Sequence, residues 1–105
     1  MRILLDECMP LTLRHDLVGH EVSTVTQMGW TGLRNGVLLA NASGRFDVFL
    51  TVDRKLPMQQ ALSKFAIAIV VLHCATIDVN DLRKLMPALQ AVLPKAKKGA
   101  ATSVG

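Results

Sequence analysis

Apolar residues fall into four short runs, each bounded by charged or turn-forming residues: Arg2–Leu5, His20–Val25, Asp47–Thr51 and Ala66–Leu72. The runs are rich in Ile, Val and Leu, the mark of strands buried on both faces of a parallel sheet. Helical patterns separate them. Pro10 to Val18 predicts a helix with proline in its first turn, and Asn35 caps a second that runs through Leu38, Leu39 and Ala42 before Gly44. A short helix is expected from Pro57 to about Ser63. Asp78 to Val92 predicts one further helix, with Leu82, Leu85, Met86, Leu89 and Val92 as its apolar stripe.

Strand and helix alternate, so the expected fold class is α/β: three layers, a mainly parallel four-stranded sheet, right-handed crossovers and helices on both faces. A chain of 105 residues makes one domain, taken here as 1–94. The last segment, 95–105, holds Lys95, Lys97 and Lys98 with no acid and ends in small residues, and it is expected to be a disordered basic tail. That tail changes the meaning of the net charge of +4, because the rest of the chain carries nine basic against eight acidic residues. Basicity alone therefore says little about nucleic acid.

The longest apolar stretch, Phe65 to Leu72, is far shorter than the roughly 20 residues of a membrane helix. Asp6 and Glu7 come too early for a signal peptide. The expectation is a cytoplasmic protein without a membrane partner. Cys8 and Cys74 lack metal-type spacing and read as two reduced thiols.

Two acids stand where chemistry is expected. Asp6 follows Ile3-Leu4-Leu5 and Asp53 follows Val48-Phe49-Leu50-Thr51-Val52. In open parallel sheets, ligands bind outside the carboxyl ends of the strands, where the connections reverse direction. If the first and third strands are neighbours, their backbones lie about 4.8 Å apart and the two carboxylates could share one cation. Magnesium suits such a pair, since it takes oxygen ligands and keeps several waters. Glu7 adds a third carboxylate beside Asp6. Each acid taken singly also reads as a solvated strand-end residue or a cap. Asp47 opens its strand and reads as structural. Arg34, Arg54 and Lys55 lie near the same rim and could contact RNA phosphates, or serve only as solvated loop cations. Trp30 reads first as core cover and second as a stacking surface for an unpaired base. His73 reaches the rim, and Gln59 and Gln60 follow the Asp53 loop.

The opening Ile3-Leu4-Leu5-Asp6-Glu7-Cys8-Met9-Pro10, with Gly19-His20-Glu21-Val22, Gly29-Trp30, Asn35-Gly36, Phe46-Asp47-Val48 and Thr51-Val52-Asp53-Arg54, resembles the short PIN-like bacterial proteins from residue 3 to about residue 93. The resemblance implies a compact PIN-type α/β fold and a magnesium-dependent ribonuclease site, served by Mg²⁺ or Mn²⁺. It also implies RNA as substrate and a small antitoxin partner in a toxin-antitoxin pair. By position it assigns Asp6 and Asp53 as catalytic metal ligands, with Glu7 as the acid that follows the first. One departure stands out: where the family commonly has Asn-Gly-Glu-Leu-Leu, this chain has Asn35-Gly36-Val37-Leu38-Leu39. Val37 cannot ligate a metal, so the resemblance implies a reduced carboxylate site. Two other readings stay open: a PIN-like binding module without catalysis, and a receiver-type phosphoacceptor domain with Asp53 phosphorylated. A small α/β domain of this composition is also a candidate homodimer.

Overall fold

A computed structural model describes residues 1–105. Five strands form one sheet, all parallel: β1 (Arg2–Leu5), β2 (Glu21–Thr24), β3 (Val48–Thr51), β4 (Ala68–Leu72) and β5 (Ala101–Val104), in the order β2-β1-β3-β4-β5. This is a doubly wound order. The chain leaves β1 for β2 on one side, then crosses to β3 on the other, so the connections diverge between β1 and β3. Those two strands pair in register, Ile3 with Val48 and Leu5 with Leu50.

The sheet has a core on each face, as alternation along buried strands requires. Ile3, Leu5, Val48, Leu50, Val70 and Leu72 face one layer, built from a 3-10 segment (Leu11–His15), α3 (Val79–Arg83) and α4 (Met86–Val92) through Leu13, Leu82, Met86 and Leu89. Leu4, Phe49, Ile69 and Val71 face the other, where α1 (Asn35–Ala42) contributes Leu38, Leu39 and Ala42 and α2 (Leu56–Gln59) contributes Leu56. The α/β class and the three layers therefore stand. No helix is long and apolar enough to cross a membrane.

Four expectations are corrected. The sheet has five strands, and the fifth comes from the tail expected to be disordered: β5 pairs with β4, Val70 opposite Thr102 and Leu72 opposite Val104. β4 is buried throughout. Without β5 one side of its backbone would be an unpaired edge, and buried N–H and C=O groups need partners. Ile69 donates its N–H to the Ala100 carbonyl at 3.0 Å, and His73 donates to the Val104 carbonyl at 2.7 Å.

The helix expected over 78–92 is broken into α3 and α4, with a turn at Lys84–Leu85. The cause is Pro87, which has no N–H to give to the Arg83 carbonyl and whose ring would crowd it. Asp78 caps α3, accepting the Asn80 N–H at 2.8 Å. Between Pro10 and Val18 only the 3-10 segment forms, enough to bury Leu13 and Leu17 against the sheet. The segment expected from Pro57 to Ser63 likewise divides into α2 and a 3-10 turn at Leu62–Lys64.

Candidate functional site

The divergence of the connections places the ends of β1 and β3 side by side at the carboxyl rim. Asp6 continues the ladder, its N–H donating to the Leu50 carbonyl at 3.0 Å. This sets its side chain beside Thr51, a polar residue in an apolar run and fully buried. A buried hydroxyl without partners would be costly. Thr51 meets that requirement twice: Oγ1 donates to Asp6 Oδ2 at 2.7 Å and accepts the Asp53 N–H at 3.0 Å. One hydroxyl thus ties the Asp6 carboxylate to the Asp53 backbone.

Each carboxylate also organises its own loop. Asp6 Oδ1 accepts the Glu7 N–H at 2.8 Å, and Asp53 Oδ1 accepts the Lys55 N–H at 2.9 Å, shaping the turn that leads into α2. Both acids are half-buried. A carboxylate offers about four acceptor positions, so neither is saturated. Glu7 is exposed and lines, with Asp6, a cavity of about 220 Å³ whose far wall is Thr24, Thr26 and Gln27. That wall is closed on itself. Thr24 N–H donates to Gln27 Oε1 and Gln27 N–H to Thr24 Oγ1, both at 3.0 Å.

Asp53 does not line that cavity. Asp6 is the shared member, joined to Asp53 through Thr51 and to Glu7 through the cavity. No three His, Cys, Asp or Glu side chains form one group able to hold a metal. Magnesium is commonly held by one or two carboxylates, with waters and substrate phosphates filling its other positions, and Asp6 and Asp53 each keep unused acceptors of the oxygen type it takes.

The expected cations are placed as follows. Arg34 precedes α1, and its carbonyl accepts the Leu38 N–H at 2.9 Å. Arg54 and Lys55 occupy the turn between β3 and α2. All three are exposed, and none is in an ion pair, the two in the fold being Arg83–Asp16 and Lys84–Asp81. Val37 lies in the first turn of α1 and is 50% exposed. The preceding Gly36 lies against the α2 segment, where an added Cβ would stand 3.2 Å from Gln60 Oε1.

Asp47 is structural, its Oδ2 accepting the Arg2 N–H at 2.8 Å. Trp30 packs edge-on to Phe46, ring centroids 6.2 Å apart, at the margin of the α1-side core. Residue-by-residue reading missed Thr51, whose signal was a lone hydroxyl in an apolar strand. It also assigned nothing to Cys8. That thiol is exposed yet pushed above its ordinary value of 9.0, first by desolvation and then by the Asp6 carboxylate, and so remains protonated at neutral pH.

Comparison of the chain with protein-family models, curated proteins and solved structures finds no match.

Proposed function

We propose that this chain is a PIN-like domain carrying a reduced, magnesium-dependent ribonuclease site at the β1/β3 rim. The observation that carries this reading is the Asp6–Thr51–Asp53 bridge at the point where the sheet connections diverge. Asp6 and Asp53 are the residues that would hold Mg²⁺ or Mn²⁺, with Glu7 as the third carboxylate of the rim. When bound, the cation supplies positive charge against a phosphate and acidifies a coordinated water. The protein's own part is to fix the two acids through Thr51 and to offer Arg34, Arg54 and Lys55 to RNA phosphates. Val37 leaves the first turn of α1 without a carboxylate, so weak metal affinity is the expected deficit.

The test is cleavage of a single-stranded RNA by the full chain in Mg²⁺ and in Mn²⁺. Cleavage that disappears in Asp6→Asn and in Asp53→Asn supports the reading. No cleavage at any metal concentration overturns it.

A second reading, a binding module for an antitoxin-like protein or for a second copy of this chain, is favoured by one observation. Leu33, Val37 and Met58, in or beside α1 and α2, are 36%, 50% and 82% exposed. On this reading Val37→Asp abolishes co-purification with the partner or shifts the chain to monomer, whereas Asp6→Asn does neither. The receiver reading has less support. Lys95, Lys97 and Lys98 precede β5 and so lie at the end of the sheet away from Asp53, whereas a receiver needs its lysine at the rim.

A further inference from the structure

A second cavity, of about 240 Å³, runs beside β1 and β2 from Arg2 and Glu21 at their amino ends to Ser23 and Met28, and neither rim acid lines it. Pairing puts Arg2 beside Glu21 and Leu4 beside Ser23, and alternation sends all four side chains to one face. That face is the one α1 covers, since Leu4 belongs to its core. Buried Phe46 and half-buried Met28 form an apolar floor.

Arg2, Arg45 and Glu21 form a charged rim around this floor. Arg2 Nη2 donates to the Gly44 carbonyl at 3.3 Å, which holds its guanidinium next to the Arg45 segment. The Arg45 guanidinium lies 6.0 Å from the centre of the Trp30 ring, whose edge-on packing against Phe46 supports it from behind. None of the three charges is committed to an ion pair.

We propose that this cavity binds a small zwitterion with an apolar side chain, of the α-amino acid class. The carboxylate takes the Arg2 and Arg45 forks, which suit its planar geometry. The ammonium group faces Glu21, with the Ser23 hydroxyl as a further acceptor, and the side chain rests on Met28 and Phe46. Two features select this class. Glu21 repels a dianionic phosphate, and the volume falls below the ~300–1,000 Å³ of pockets for drug-sized ligands, which argues against a mononucleotide. About 13 Å of β1, four residues at 3.3 Å each, separates Arg2 from Asp6. The two sites therefore stand or fall separately.

Trp30 is the only tryptophan and there is no tyrosine, so its emission reports on Arg45 directly. The experiment titrates the full chain with L-leucine, N-acetyl-L-leucine, 3-methylbutylamine and inorganic phosphate, read by Trp30 emission and by calorimetry. Leucine is expected to bind saturably and to perturb the emission. Loss of either charge from the ligand, or Arg45→Gln or Glu21→Gln, is expected to weaken binding by about tenfold or more. Both side chains are exposed, so these variants should fold, which circular dichroism checks. Absence of saturable leucine binding overturns the proposal. So does N-acetyl-L-leucine or phosphate binding as tightly as leucine, or an Arg45→Gln variant that binds leucine like the parent by calorimetry.

Discussion

Thr51→Val is the sharpest probe of the rim, because valine keeps the shape of threonine and removes only the hydroxyl. Two hydrogen bonds disappear: Oγ1 to Asp6 Oδ2 at 2.7 Å and the Asp53 N–H to Oγ1 at 3.0 Å. A bond to a charged group contributes about 1.5–3 kcal/mol and a neutral one about 1 kcal/mol. The full sum overstates the cost. Asp6 is half-buried and can turn its freed oxygen to water, and the fully buried position gains an apolar group. A net loss of about 2 kcal/mol follows, and for a domain of this size that lowers Tm by roughly 10 °C. The assay is thermal and urea unfolding of wild type, Thr51→Val, Thr51→Ser, Asp6→Ala and the Thr51→Val/Asp6→Ala pair. Thr51→Ser should recover most of the loss. The cycle should show a coupling of about 1 kcal/mol or more, as for residues in one network. A Thr51→Val loss below about 0.5 kcal/mol, or losses that simply add, would refute the claim that Thr51 ties the Asp6 carboxylate to the Asp53 backbone.

Other outcomes test different parts of the molecule. Val37→Glu is tolerated, since the site is 50% exposed, and on the nuclease reading it raises metal-dependent RNA cleavage; an unchanged rate in the folded variant counts against that reading. The Asp81 carboxyl titrates below its ordinary value of 3.8, first because the Thr76 hydroxyl donates to it at 2.7 Å and then because of Lys84. A lowered folded value means that its contribution to stability is present at neutral pH and is lost as pH falls through that value. Thr76→Val should move the Asp81 NMR titration upward, and no movement would remove the hydrogen bond as the cause. Hydrogen exchange tests the β5 pairing: the Ile69 and His73 amides should be protected to the level of the β3–β4 ladder, and rapid exchange at His73 would mean that β5 does not hold.

Much of the fold was legible because its causes are local. The runs at β1, β3 and β4 are apolar enough to be strands wherever they sit, and Asn35 to Ala42 is helical by its own spacing. The break between α3 and α4 also has a local cause, because Pro87 cannot donate to Arg83 in any context, but the apolar stripe from Leu82 to Val92 reads as one helix. β5 was not legible. Ala101-Thr102-Ser103-Val104 buries only Val104, and its strand conformation comes from the open side of β4 rather than from its own side chains. At the rim the acids were legible as strand-end positions, whereas the bridge between them was not, because Thr51 and Asp6 are far apart in the chain and meet only when β1 and β3 pair.

By itself the sequence determined an α/β chain with acids after its first and third strands and a valine in the first turn of the helix between β2 and β3. Those are properties of side-chain type and order, which no packing alters. Tertiary structure decided which acid has a neighbour. Strand order joined the Asp6 carboxylate to the Asp53 backbone through one hydroxyl and left Glu7 exposed beside the Asp6 cavity. It also gathered Arg2, Glu21 and Arg45 around an apolar floor at the other end of the sheet. The reason is physical: hydrogen-bonded pairing fixes neighbours across the sheet, and no local preference along the chain encodes which strand that neighbour will be.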